Sequence, residues 1–120
     1  MRVPLAWALV LVLGLAACSK PVPPAPTPQQ ALALAPANPR LAALYGESCK
    51  ACHAIPGTGA PVVHDRKAWD PRWKQGEAVL LDHAVQGFRA MPAGGQCATC
   101  TPDDFNALIR FMAGREDPAR

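Results

Sequence analysis

Cys49, Lys50, Ala51, Cys52 and His53 stand in a row near the middle of this chain. Two thiols three positions apart, with an imidazole directly after the second, form the C-x-x-C-H spacing of covalent haem attachment. Each thiol can add across one vinyl group of the ring, giving two thioethers. The next residue then turns its imidazole towards the iron from the same side. The other readings of these residues are a disulfide and a thioredoxin-like dithiol beside an incidental histidine. A thioredoxin-like site expects a βαβ context, which this sequence does not offer.

A haem held this way needs a sixth ligand or leaves an open position. The candidates are Met91, His64, His83 and Met112. Met112 falls on an apolar helical stripe, where packing is its role. His83 falls within a helical pattern. His64 is a loop residue and would make a bis-histidine site. Met91 sits in Phe88-Arg89-Ala90-Met91-Pro92-Ala93-Gly94-Gly95, an extended loop able to pass close to a flat ring, and Met91 is the ligand we expect. Histidine and methionine together close the coordination shell, which suits electron exchange, and thioether sulfur raises the potential relative to a second histidine. If Met91 were displaceable, the same domain would serve instead as a gas- or ligand-binding sensor. No distal acid–base pair points to a peroxidase.

Cys97-Ala98-Thr99-Cys100 is a second pair, but Thr101 follows it, so it marks no second haem. A zinc site would need all four thiols, at a gap far longer than zinc ribbons use. In an exported chain a local disulfide is the expected fate.

The elements that must position these groups are helical. Asn38-Pro39 opens a helix, with Asn as cap and Pro at its first position. Leu41, Leu44 and Tyr45 share a face, and that helix runs into Cys49. Ile55 to Pro61 is broken by glycine and proline into a loop. Val62 to Lys74 reads as a loop with a short helix. Gly76 to Gly87 is a helix on which Ala78, Leu81 and Val85 share a face. Thr101-Pro102-Asp103-Asp104 starts a last helix with acids at its positive end, and Phe105, Leu108, Ile109 and Met112 form its core stripe. The expected fold class is all-α.

Upstream lies an export signal. Met1-Arg2 is followed by an apolar run from Val3 to Ala17 that is shorter than a membrane span needs. Leu15-Ala16-Ala17-Cys18 resembles the lipobox of bacterial lipoproteins, which implies cleavage before Cys18 and its lipidation. That also accounts for the odd count of five cysteines. Ser19 leans towards the outer membrane under the sorting pattern of enteric lipoproteins. Pro21 to Pro39 reads as a semi-stiff polyproline spacer. The organisation expected is a signal peptide at 1–17, a lipidated, Pro-rich tether at 18–38, and one domain at 39–120.

So small a domain is marginal on its apolar core alone, and a covalent haem would act as its staple. The hydrophobic fraction of 50% is inflated by the leader. Twelve basic residues against nine acidic ones fall to eleven once Arg2 is removed. No basic stripe with interleaved aromatics exists, so nucleic acid is not an expected partner.

Residues 39–120 resemble the class I cytochromes c, and within them the cytochrome c5 group. The resemblance rests on Tyr45 with Cys49, Cys52 and His53, on Gly59-Ala60-Pro61, and on Trp69 with Pro71-Arg72. It rests also on Met91-Pro92 with Gly94-Gly95, on the Cys97/Cys100 pair and on Phe111-Met112. It implies one covalent haem c on Cys49 and Cys52, His53 and Met91 on the iron, and a Cys97–Cys100 disulfide. It further implies that the Pro61 carbonyl accepts from His53 and that Trp69 and Arg72 lie near a propionate. Where the family often has glycine four residues before the first helix's aromatic, this chain has Leu41. The function implied is a lipid-anchored, periplasm-facing carrier of single electrons. It would meet redox donors and acceptors transiently at its haem edge, with Lys50, Arg66, Lys67 and Arg89 as candidate rim charges.

Overall fold

The computed structural model describes residues 20–116. The apolar leader, Cys18 and Ser19 lie outside the described residues. The elements in chain order are α1 (Pro28–Ala33), α2 (Pro39–Leu44), a π-helical turn (Tyr45–Cys49), α3 (Lys50–His53), α4 (Arg66–Trp73), α5 (Glu77–Gln86), a 3-10 turn (Ala93–Gln96) and α6 (Pro102–Met112). Among the described residues there is no sheet, only one antiparallel bridge between Phe88 and Met91. The all-α expectation holds.

The helix starts are where short polar side chains can cap them. Asn38 Oδ1 accepts from the backbone N–H of Arg40 and Leu41, at 2.9 and 3.2 Å, and Pro39 occupies the first position of α2. Asp65 caps α4 in the same manner. Thr101 and Asp104 cap α6 reciprocally: Thr101 Oγ1 accepts from Asp104 N, and Asp104 Oδ2 accepts from Thr101 N. Such exchanges satisfy donors that the first turn leaves without partners.

Helix α6 is the wedge of the fold. Leu108, Phe111 and Met112 pack with Tyr45, Cys49, Val63 and Trp69 on one side. Phe105 and Ile109 pack with Leu80 and Ala84 of α5 on the other. The π-helical turn that follows α2 meets α6 through Tyr45, whose ring sits edge-on to Phe111 at 5.0 Å. Leu41, at the place where the family often has glycine, is half-buried against that same core.

Three sequence expectations need correction. The Pro-rich run is not a continuous spacer: residues 28–33 form α1, and Ala31 is fully buried in the main core. The reason is local, because Thr27 and Gln30 make a capping box around Pro28. The helix entering Cys49 is α-helical only as far as Leu44 and then widens into the π turn. Such turns are rare and cluster at functional sites. On α5 the buried face is Leu80 and Ala84, whereas Ala78 and Val85 are exposed. Small Ala84 lets α5 lie close to α6, and that packing, not the wider apolar stripe, sets the face.

Candidate haem site

His53 closes α3, and the chain after it folds back to hold its ring. Val63 N–H donates to the His53 carbonyl at 2.7 Å. His53 Nδ1 donates to the Pro61 carbonyl oxygen at 2.9 Å, the contact the family resemblance implies. That bond fixes the tautomer and leaves Nε2 with its lone pair for a metal. The imidazole is 7% exposed. Burial lowers its pKa and keeps it neutral, with the Pro61 bond opposing and the nearby Arg72 charge adding to the effect.

Both thiols of the motif are free. Cys49 is buried, and burial pushes its pKa up against a weak contact with Ser48 Oγ at 3.5 Å. Cys52 is exposed. By contrast, Cys97 and Cys100 are joined to each other, with Cα atoms 5.5 Å apart. The bond ties the 3-10 turn after Met91 to the cap of α6.

Met91 is half-buried against the α5–α6 core, which also contains Cys97 and Cys100. Its backbone is pinned by a reciprocal pair of bonds with Phe88, each 3.0 Å. The expected extended loop is therefore a tight turn over Phe88–Met91 followed by the 3-10 turn.

The other candidate ligands have these surroundings. His64 donates its backbone N–H to the Met112 carbonyl at 2.7 Å and packs edge-on to Phe111 at 5.2 Å. His83 stacks on Phe88 at 3.9 Å. Met112 is 3% exposed in the core.

Trp69 has a role the sequence did not disclose. Its ring stacks with His53 at 5.8 Å and 29°. Its one N–H donates to the Val62 carbonyl at 2.8 Å, so it is not held open for a propionate. Arg72 gives one N–H to the Ala68 carbonyl at 2.6 Å and has further donors.

Two free thiols at the attachment spacing and an imidazole with its other nitrogen already engaged fit the attachment of haem c. This is the fold and chemistry of a c-type cytochrome domain. Residues 36–112 match the family model described as "Cytochrome C oxidase, cbb3-type, subunit III". The chain belongs to that family of monohaem cytochromes c, and its cofactor is one covalent haem c.

Similar proteins agree. The chain is 36% identical to cytochrome c5 of Ectopseudomonas mendocina over 73 residues, 59% of this chain and 84% of that one. It is 41% identical to cytochrome c5 of Azotobacter vinelandii over 68 residues, 55% of this chain and 82% of that one. It is 35% identical to cytochrome c-555 of Chlorobaculum tepidum over 77 residues, 61% and 71% of the two chains. A solved chain described as "Crystal structure of electron transfer complex of nitrite reductase with cytochrome c" matches with a TM-score of 0.57 and 31% identity, covering 65% of this chain and 95% of that one. The chain is thus an electron carrier and not an enzyme. Among the described residues no helix is long and apolar enough to cross a membrane.

Proposed function

We propose that this chain is a lipid-tethered monohaem cytochrome of the bacterial cell envelope, passing single electrons between periplasmic or membrane redox proteins. The observation that carries the reading is the bond from His53 Nδ1 to Pro61, which turns Nε2 into a fixed, neutral metal ligand. Cys49 and Cys52 hold the haem, His53 and Met91 ligate its iron, and the iron supplies a one-electron couple when bound. The protein's own part is to keep that couple six-coordinate and partly dry.

Docking takes place where the attachment motif and the Met91 loop reach the surface. Ile55 and Phe88 are large apolar side chains exposed there, at 43% and 44%. Arg89 lies over the Phe88 ring, 5.1 Å from its centre. Arg66 is a weaker candidate for the rim, since its guanidinium is paired with Asp70.

Cys18 is the lipidated residue in this reading, with Ser19 favouring the outer membrane. Nine residues, Ser19 to Thr27, separate Cys18 from the start of α1 at Pro28. At about 3.1 Å per residue in polyproline geometry they reach about 28 Å. The partners are then membrane-bound, or come to the membrane surface.

The test is the absorbance of full-length protein matured with haem-attachment machinery, recorded oxidised, reduced, and reduced with carbon monoxide. A far-red methionine–ferric band and no carbon monoxide shift are expected. Met91→Ala should lose the band, lower the potential and bind carbon monoxide. A wild-type spectrum that already shifts with carbon monoxide would make the ligand-binding sensor the better reading.

A further inference from the structure

The backbone that carries Met91 crosses the C-terminal end of α5 with no room for a side chain. A methyl group on Gly87 would stand 2.9 Å from Ala93 N, 3.0 Å from the Met91 carbonyl oxygen and 3.2 Å from the Pro92 carbonyl carbon. All three are main-chain atoms, which cannot swing aside as a side-chain tip can. A methyl group on Gly95 would stand 3.0 Å from Met91 Cε. Met91 therefore lies between two glycines, one against its backbone and one against its terminal methyl.

The loop has little slack to absorb a push. Phe88 and Met91 exchange two hydrogen bonds, and Arg89 between them has φ 55°, a conformation few side chains adopt. Downstream, Gly95 N–H donates to the Pro92 carbonyl and Cys97 N–H to the Gly94 carbonyl. The Cys97–Cys100 bond then fixes the far end. A displacement at Gly87 has to reach Met91.

We propose that Gly87 and Gly95 are positioning residues for Met91, fixing the place from which its thioether reaches the iron. The proposal rests on the reading of Met91 as the sixth ligand.

Backbone freedom alone is the competing explanation, and the chain contains its own controls. Gly87 has φ 87° and ψ 153°, and Gly76 at the other end of α5 has φ 97° and ψ 149°. Both lie in a region that is essentially glycine-only, yet a methyl on Gly76 would meet nothing within 4 Å. Gly94 and Gly95 are likewise both left-handed, at φ 69° and 52°, and a methyl on Gly94 meets open space. Each pair shares the backbone penalty and differs in the contact with the Met91 segment.

The experiment compares Gly87→Ala with Gly76→Ala, and Gly95→Ala with Gly94→Ala, in full-length holoprotein. The readouts are the far-red methionine–ferric band, the reduction potential and imidazole binding to the ferric protein. Gly87→Ala should lose the band, lower the potential and bind imidazole about tenfold or more tightly than Gly76→Ala, overpacking costs being of that order. Gly95→Ala should exceed Gly94→Ala in the same direction by a smaller factor. Equal bands and equal imidazole affinities within both pairs overturn the proposal. If Gly87→Ala does not accumulate as holoprotein, the Gly95 and Gly94 pair gives the answer alone, and equal affinities there overturn it. Failure of the ligand reading shows separately: the far-red band would be absent from wild type, or would survive Met91→Ala.

Discussion

Arg40 on α2 grips both carboxylate oxygens of Asp104 on α6, joining the first helix after the Pro-rich run to the last. Asp104 also accepts from the N–H and hydroxyl of Thr101. The Arg40 guanidinium first, and the Thr101 backbone bond second, hold this carboxyl well below its ordinary pKa of 3.8. A carboxylate whose pKa is depressed on folding stabilises the fold above its unfolded pKa and stops doing so as pH falls through the folded one. We expect a contribution that is complete above about pH 5 and declines steadily below the ordinary carboxylate range. Arg40→Met should flatten the acid limb of a plot of melting temperature against pH. An unchanged acid limb would remove Asp104 from the account.

Tyr45 is the single tyrosine of the chain, and its hydroxyl is buried without a hydrogen-bond partner. Desolvation, and to a lesser degree Cys49, raises its pKa from 10.0 to about 12. The neutral phenol is the form the fold favours, so this contribution is intact below pH 10 and is lost as pH rises towards about 12. Tyrosinate absorbance should therefore appear late, near pH 12. Tyr45→Phe should match or exceed wild-type stability in denaturant, since it removes an unpaired polar atom and keeps the ring on Phe111.

Trp69 links the His53 ring to the loop beneath it. Trp69→Phe retains an aromatic face but removes one of the two donors to the Val62 carbonyl, leaving the Asp65 N–H at 3.0 Å. The loss of one such hydrogen bond costs about 0.5–1.5 kcal/mol, which denaturant unfolding would register. A loss well under that range would mean that water replaces the indole N–H.

Helix α1 belongs to the folded unit. Ala31 is fully buried, whereas the neighbouring Leu32 is 48% exposed. Ala31→Asp places a charge in the main core cluster and should lower stability by about 3 kcal/mol or more. Leu32→Asp should change it by no more than about 0.5 kcal/mol, as surface substitutions usually do. Equal effects would show α1 to be detached in solution.

The sequence by itself determined the cofactor chemistry, because covalent haem attachment depends on residues adjacent in the chain. Cys49, Cys52 and His53 are readable as a unit with no fold in hand. The caps at Asn38, Asp65 and Thr101 are local too, since each reaches only two or three residues ahead. The capping box of Thr27 and Gln30 was equally local, but a run of prolines that favours extended geometry obscured it. Tertiary structure decided what depends on distant partners. Which face of α5 is buried follows from α6, more than twenty residues later. Trp69 stacks on His53 and gives its N–H to Val62 only because the intervening loop folds back. Gly87 lies under the Met91 backbone because the chain reverses there, and no pattern of spacing distinguishes that glycine from Gly76, which has backbone angles within 10° of it and empty space beside it.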